Sequence, residues 1–529
     1  MFGDYRICRA CCVAVWRAPR VPGLTRVVSS VSVGLLLMLA FPLTGGRASS
    51  SPANAADAFV FDVDNSADDP DADIGDGLCK TASNECTLRA AVMQANVVPY
   101  VNTTIHVPAG TYKLGLPSDP NRGSLKLTSP LPDSGNPVIS LVGAGEAVTV
   151  IDGNLTDRVV RVDPGRQANM SGLSVINGYA SASGGGIFNE GTLSLVDVKI
   201  FNNKSSQAAG GGIYNAPGGA ASLTLVRVTV DTNSAQNGGG IFNQGNLSIS
   251  HGLIVANHSI INGGGMFSNS PTEIHFSTFS ANSSGSGGGI YATSSSLLVE
   301  HSTVDGNSAF YGGGIYSSAT LGLDRSTVSR NSSAYGGGVD NSGALFVTNS
   351  TLSSNQVTYN GGGVYNTGSA NVYNSTVAYN EADSDLDGAG DGAGVFNAAP
   401  HTFNVRNSVI AGNFLAGEQS FNDCIGEIGF FGNNRLSELA GCSFGAAGNG
   451  SRALVGSLDE LGILKDNGGP TQTIALIPPS TMIDGASICT DSVSSAISFD
   501  QRDHTRPLNV SRCDLGAFEY NDVFASGFQ

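Results

Sequence analysis

Between residues 184 and 413 the chain states one pattern nine times: a glycine cluster, an apolar residue, an alternating apolar pair and a closing asparagine. The apolar residues behind the glycines are Ile187, Ile213, Ile241, Met266, Ile290, Ile315, Val339, Val364 and Val395, the last after a degraded Gly392-Ala393-Gly394. They recur at steps of 26, 28, 25, 24, 25, 24, 25 and 31 residues. The closing asparagines are Asn203, Asn233, Asn257, Asn282, Asn307, Asn331, Asn355, Asn380 and Asn413. A period this regular describes one supersecondary unit stacked on copies of itself.

Three residues before each asparagine the side chain is apolar, from Ile200 through Phe279 to Ile410, and eight before it the same holds, from Leu195 to Val405. Short runs with period-two alternation, rich in Val, Thr and Ile, read as strands. No helical spacing is sustained within a unit. A turn of about 25 residues carrying two or three short strands is the coil of a right-handed parallel β-helix, its hand following the rule for parallel crossovers. The expected fold is therefore an all-β, pectin-lyase-like solenoid of about 24–25 residues per coil with capped ends. The glycines are expected at corners where coils approach closely. The asparagines are expected to bond from coil to coil as an internal ladder.

Charged residues make up only 13% of the 529 and the net charge is −17, so nothing basic is available to neutralise a nucleic acid. Arg17, Arg20 and Arg26 precede an apolar run from Val31 to Leu43, and Ala53-Asn54-Ala55 follows as a cleavage triplet. Residues 1–55 thus read as a signal peptide, and no membrane span is expected once it is removed. Its loss would take Cys8, Cys11 and Cys12, leaving Cys79, Cys86, Cys424, Cys442, Cys489 and Cys513. An even count in an exported chain suggests disulfides, which six cysteines can arrange in 15 ways. Sequential pairing is the expectation, pinning the two ends of the repeat.

Two flanks carry recognisable motifs. Asp76-Gly77, Cys79, Cys86-Thr87-Leu88-Arg89-Ala90-Ala91-Val92 and Ala95-Asn96 resemble the CSLREA domain at the start of secreted bacterial β-helix proteins, with Ala90 departing from the acidic residue of that name. The likeness implies a short capping helix from Leu88 to Asn96. Asp466-Asn467-Gly468-Gly469-Pro470-Thr471, Ile483-Asp484-Gly485-Ala486, Asp500-Gln501-Arg502, Arg506-Pro507 and Cys513-Asp514-Leu515-Gly516-Ala517-Phe518-Glu519 are similar to the choice-of-anchor Q domain. Units such as Phe279-Ser280-Ala281-Asn282 resemble the GGAI/FxxN repeats of polymorphic outer membrane proteins. Together they imply a secreted or cell-surface β-helix and bring no reaction with them. The implied organisation is a CSLREA-like cap at 56–100, a β-helix at 101–415, C-terminal coils and a choice-of-anchor Q-like cap at 416–520, and a tail at 521–529.

Stacking makes residues one coil apart into neighbours, so candidate chemistry is read in columns. His275, Glu300 and Asp324 stand seven residues before their asparagines, with His251, His301 and Arg325 beside them. Paired carboxylates with imidazole and guanidinium suit acid–base work on a polysaccharide, or simply pair with one another on a solvated face. An aromatic stripe, Phe188, Tyr214, Phe242, Phe267, Tyr291 and Tyr316, continues after Asp340 as Tyr365 and Phe396. It can stack sugar rings or stack on itself. Asp383, Asp385, Asp387 and Asp391 follow half of a calcium-loop order, so calcium is the one cofactor considered and none is required.

The first functional expectation is a monomeric, adhesin-like scaffold that binds glycans or cell-surface components without catalysis. The alternative is a polysaccharide lyase or glycoside hydrolase working on the lateral face. A purely structural envelope component is a third possibility.

Overall fold

The computed structural model describes residues 59–115, 123–128, 136–218, 221–418, 420–445, 452–486, 489–490, 496–506 and 512–520. The expected signal peptide and the tail 521–529 lie outside them. The described chain is a parallel β-solenoid of about twelve turns, with little helix.

One coil shows how the residues make the fold. Gly287 turns the chain at φ +63°, and Ile290–Ala292 forms a three-residue strand. Ser296–Glu300 forms a longer strand whose Leu297 and Val299 point inward. His301 turns the chain again at φ +47°, Thr303–Asp305 follows with Val304 inside, and Gly306 turns it a third time before Asn307. The next coil repeats this in register, pairing Ile290 with Ile315, Leu297 with Leu321 and Val304 with Val328. The inward side chains form one apolar column from Phe61 to Cys442. Burying each such Leu, Ile or Val contributes about 1.5–3 kcal/mol.

The glycine clusters stand, as expected, at corners where coils approach closely, and the first of each three also turns the chain. The first glycine takes the left-handed conformation. The second and third are needed for contact: a Cβ on Gly288 would lie 2.4 Å from the Gly313 carbonyl oxygen, and one on Gly289 2.7 Å from that of Gly314. The other two corners of a coil are mostly non-glycine. Arg227, His251, Phe276, His301, Arg325, Asn349, Asn374 and Asn407 form one left-handed column at φ between +46° and +55°. From Arg227 to Asn374 each is held by the coil beyond it, as when the His301 amide donates to Asp324 O at 3.1 Å and that of Arg325 to Thr348 O at 3.1 Å. That ladder holds a conformation an isolated side chain would avoid.

The asparagine ladder is complete. Each Nδ2 donates to the Oδ1 of the next coil at 2.9–3.0 Å, from Asn203 through Asn380 to Asn413. Asn307 shows the full set. Its Oδ1 accepts from the Asn282 backbone N–H and Nδ2, and its own Nδ2 donates to Phe279 O and Asn331 Oδ1. The ladder ends on an acceptor. Asp423 takes Asn413 Nδ2 at 2.9 Å on one oxygen and the Ser437 and Glu438 amides at 2.6 and 2.9 Å on the other. Burial raises its carboxyl to about 6 although all these donors oppose the shift.

Parallel rungs extend into both flanks. Phe59–Asp62 already pairs in parallel with Thr103–Val107, so the first rung belongs to the stretch read as a cap. Helix α1 (Leu88–Val97), N-capped by the Thr87 hydroxyl, buries Leu88, Ala91, Val92 and Ala95 against the first coils. At the other flank, parallel rungs continue past residue 415 to Arg452–Val455. An antiparallel hairpin, Leu461–Lys465 with Thr473–Leu476, then leads the chain back along the side of the rod. The six cysteines pair sequentially, Cys79–Cys86, Cys424–Cys442 and Cys489–Cys513, with Cα separations of 5.1, 5.2 and 6.0 Å.

Two outcomes follow for the ladder. Asn307→Ala leaves the Asn282 backbone N–H without its partner and removes one hydrogen bond each from the Asn282 amide, the Phe279 carbonyl and the Asn331 amide oxygen, and chemical denaturation should report a loss of about 3 kcal/mol. Asp423, raised in the fold, binds its proton more tightly there than in the unfolded chain. Its contribution is greatest below pH 4 and falls as pH rises to about 6. Asp423→Asn should flatten that slope. It should also cost about 1–3 kcal/mol, because its amino group would face the Ser437 and Glu438 donors.

Candidate functional site

The strand Ser296–Glu300 alternates, so with Leu297 and Val299 inside, Glu300 faces out. Register places it between His275 and Asp324. The next residue in each coil is the left-handed corner, which swings His301 and Arg325 beside that column. His275 Nδ1 lies 2.9 Å from Glu300 Oε2. Arg325 binds the other Glu300 oxygen, reaches Asp324 Oδ2 at 3.2 Å and Asp503 Oδ1 at 2.9 Å. His301 Nε2 meets the same Asp503 oxygen at 3.0 Å, and its Nδ1 stands 3.8 Å from Glu300, beyond hydrogen-bond reach. Four of the five candidate residues thus converge on Arg325 or on Asp503. His251 stands apart, its ring stacked on Phe276 at 5.3 Å.

Asp503 was not foreseen here. It comes from the C-terminal segment, which lies over this face rather than over the end of the rod. The Thr327 hydroxyl donates to Gln472 O at 2.6 Å. Gln501, fully buried, donates to Thr327 Oγ1 at 2.8 Å and accepts from the Thr351 hydroxyl at 2.6 Å. The Gly516 amide donates to Asn407 O at 2.9 Å. In consequence Thr327 and Ser329 are buried, whereas their equivalents one coil earlier, Thr303 and Asp305, are half-buried. Burial raises the Asp324 carboxyl, with Arg325 opposing and Glu300 reinforcing. Burial would also raise Asp503, but hydrogen bonds from His301 and Arg325 hold it below its ordinary value. Burial works against the Arg325 charge, yet Asp324, Asp503 and Glu300 together raise its pKa.

The segment holds its own shape through buried ion pairs. Arg502 grips Asp500 at 2.6 Å and covers the Phe518 ring, and Arg506 pairs with Glu519 at 2.7 Å while reaching Asn349 Oδ1 at 3.2 Å. Burial lifts the Glu519 carboxyl to about 7, and Arg506 offsets only part of this. These are the residues on which the choice-of-anchor Q likeness rests, and each has a structural task here.

The aromatic stripe stacks on itself. Centroids of Phe188, Tyr214, Phe242, Phe267, Tyr291 and Tyr316 are 5.0, 5.3, 4.5, 5.2 and 4.7 Å apart, with planes within 10°. Arg158 covers the far side of Phe188 at 4.7 Å. Each inner face is occupied by the next ring, so only ring edges meet solvent, and a sugar has no free face to lie on. A second aromatic column, missed in the sequence, is open. Tyr311, Tyr335 and Tyr359 lie at the glycine corners with centroids 5.7 and 5.1 Å apart, beside Phe310. Phe310 is 52% and Tyr311 42% exposed, which makes this ridge accessible. Its signal was tyrosine immediately before two successive glycine triplets.

Of the four aspartates read as a calcium loop, three meet. Carboxylate oxygens of Asp383, Asp385 and Asp387 lie within 4.8 Å of one another, a donor set suited to a hard cation. Asp391 turns elsewhere, accepting from Asn422 Nδ2 at 2.8 Å and the Gly392 amide at 2.9 Å.

No family model matches the chain and no curated protein matches it, so the CSLREA-like and choice-of-anchor Q-like readings rest on the quoted residues alone. Among solved structures, the crystal structure of pectate lyase Pel9A is similar at a TM-score of 0.38 and 14% identity, over 87% of this chain and 96% of that one. The PL6 family alginate lyase AlyGC is similar at 0.35 and 14%, over 81% of this chain and 58% of that one. At such identity the likeness says nothing of chemistry. Among the described residues no helix is long and apolar enough to cross a membrane.

A double-mutant cycle of Arg325→Ala and Asp503→Ala should return a coupling of about 1 kcal/mol, kept modest by solvent around the half-exposed Asp503. Either change should speed protease cleavage within residues 466–520. Additive effects with unchanged cleavage would dismiss Arg325 as a clasp.

Proposed function

We propose that the chain is an exported β-helix scaffold, secreted or held at the cell surface, that binds polysaccharide without cleaving it. The observation that carries this reading is the pairing of the acid–base candidates with one another and with the chain's own segment. Glu300, Asp324 and Asp503 share Arg325, and His301 is 93% buried beneath the C-terminal segment. A general acid or base must exchange a proton with bound substrate within hydrogen-bond reach. Here that reach is taken up by neighbouring rungs and by the chain's own segment. These residues act as fasteners.

Two observations support the rest of the reading. The three disulfides suit an oxidising compartment outside the cytoplasm. The open ridge of Phe310, Tyr311, Tyr335 and Tyr359 offers aromatic surface on successive coils, the kind of platform on which sugar rings pack. A CSLREA-like N-terminal stretch and a choice-of-anchor Q-like C-terminal segment belong to the same proposal.

Purified protein incubated with a panel of acidic and neutral polysaccharides should retain at least one of them in a pull-down. No new reducing or unsaturated ends should appear. Tyr311→Ala with Tyr335→Ala should weaken retention by about tenfold, near the worth of one lost aromatic contact. Release of unsaturated ends that disappears in Glu300→Gln or Asp324→Asn would replace this reading with the lyase alternative.

A further inference from the structure

Where the C-terminal segment meets the rod it leaves a seam. On the long strands Thr320–Asp324 and Ala344–Thr348 the outward residues are Thr320, Gly322 and Asp324, then Ala344, Phe346 and Thr348 one coil on. A cleft opens at each end of this pair of strands. The one in the seam, of about 360 Å³, lies between Asp324, Thr348 and Asn349 of the rod and Ser498 and Phe499 of the segment. The other, of about 320 Å³, is lined at the opposite corner by Ser295, Ser318, Thr320 and Ala344. Both are of the size that holds a small ligand. They stand roughly 13 Å apart, the rise of the four residues from Thr320 to Asp324. The face between them is apolar, with Phe346 39% exposed and Leu298 Cδ1 leaning within 3.3 Å of where a Gly322 Cβ would lie.

The seam pairs an aromatic platform with a hydrogen-bond acceptor. The Phe499 carbonyl accepts from Asn349 Nδ2 at 3.0 Å, and Phe499 bridges Thr505 in antiparallel fashion, so its backbone is fixed from both sides. Its ring is 43% exposed and lines the cleft. On the rod side Asp324 gives Oδ2 to Arg325, while among the described residues Oδ1 takes no hydrogen bond. A sugar ring has the matching two sides, a C–H face that packs on an aromatic ring and a rim of hydroxyls that donate to a carboxylate. One carboxylate suffices to orient such a ring. The second that cleavage needs is absent from the cleft, since Glu300 is held between His275 and Arg325.

The charges here select the kind of sugar. Among the residues lining the seam Arg325 is the one cation, and it already faces Glu300, Asp324 and Asp503. The residues lining the second cleft carry no charge. An acidic glycan would meet an excess of carboxylates and be repelled. A neutral one meets hydroxyls, one open acceptor and two exposed rings. We propose that the seam is a binding site for a neutral glycan, which packs on Phe499 and Phe346, donates to Asp324 Oδ1 and runs over the apolar face toward the second cleft. This assignment rests on the glycan-binding reading above and adds to it a site apart from the tyrosine ridge and the charge class of the ligand. Because rod and segment each supply one wall, an occupied seam also holds the segment down.

The test is titration calorimetry of the full chain with cello-, manno- and laminari-oligosaccharides and with oligogalacturonate of equal length. At least one neutral oligomer should bind about tenfold more tightly than the acidic one. The bound oligomer should also slow protease cleavage within residues 466–520. Phe499→Leu keeps the apolar bulk without the ring, so it should weaken binding about tenfold while leaving cleavage of the unliganded chain unchanged. Phe346→Ala should weaken binding to a similar degree. Neutral binding that survives Phe499→Leu, or that leaves cleavage unchanged, would place the sugar elsewhere and overturn the seam while leaving glycan binding standing. Tighter binding of oligogalacturonate would overturn the charge class. Binding of no oligomer by a chain that still retains a polysaccharide in the pull-down would overturn the seam alone, and failure of both would overturn the glycan reading with it.

Discussion

Every feature of this rod depends on in-register parallel pairing. When Leu297 sits on Leu321 and Val304 on Val328, each residue's nearest neighbours are its own equivalents in the coils on either side. A residue type therefore succeeds at a position only if it packs against copies of itself. Asparagine passes because its amide carries a donor and an acceptor, and the buried ladder leaves neither unused. Phenylalanine and tyrosine pass by offset stacking. Serine passes behind the left-handed corner, where the backbone N–H of Ser277, Ser302, Ser326 and Ser350 donates to the hydroxyl one coil on. A lone charge does not pass, since copies of it repel.

This explains where the charges lie. Several meet an opposite charge on an adjacent rung, as Asp197 meets Arg227 and Asp305 meets Arg330. Glu300, Asp324 and Arg325 extend the same habit into a cluster with one excess acceptor. The C-terminal segment uses that cluster and lays Asp503 across His301 and Arg325. A face that looks like a groove for substrate in one dimension is, in three, the docking surface of the chain's own end. Buried pairs such as Arg506–Glu519 add little net stability, because desolvation offsets their attraction. They hold the segment's own shape, and Arg506 also ties it to the rod through Asn349 Oδ1.

The repeat was legible because periodicity is a property of the chain. The inward columns at Ile187, Leu195, Ile200 and Asn203 could be drawn from spacing alone, and the pairing registers follow it. The non-glycine corners were not legible. Left-handed angles at His301 and Arg325 come from carbonyls in the next coil, a constraint no local propensity carries. A second amide ladder, from Asn189 through Asn215 to Asn243, also escaped notice, because serine and alanine interrupt it at Ser268 and Ala292. Gln501 and Asp503 could not be placed. Their partners lie roughly 150 to 200 residues away, and they themselves belong to no repeat. Columns can be read along one period, but contacts between a periodic body and an aperiodic segment leave no mark in either.

The same reasoning makes interruptions of a column more informative than the column. Ala292 and Ser317 break the second amide ladder at little cost, since a small side chain leaves only a gap. Asp423 ends the first ladder where the geometry changes from amide partners to backbone N–H groups, and a carboxylate, which only accepts, suits that end better than another asparagine. Asp340 interrupts the rings without either excuse. It stands in register between Tyr316 and Tyr365, and burial lifts its carboxyl to about 7, where a proton removes the charge. In a stack that rewards self-similarity, an acid among rings persists by giving up its charge.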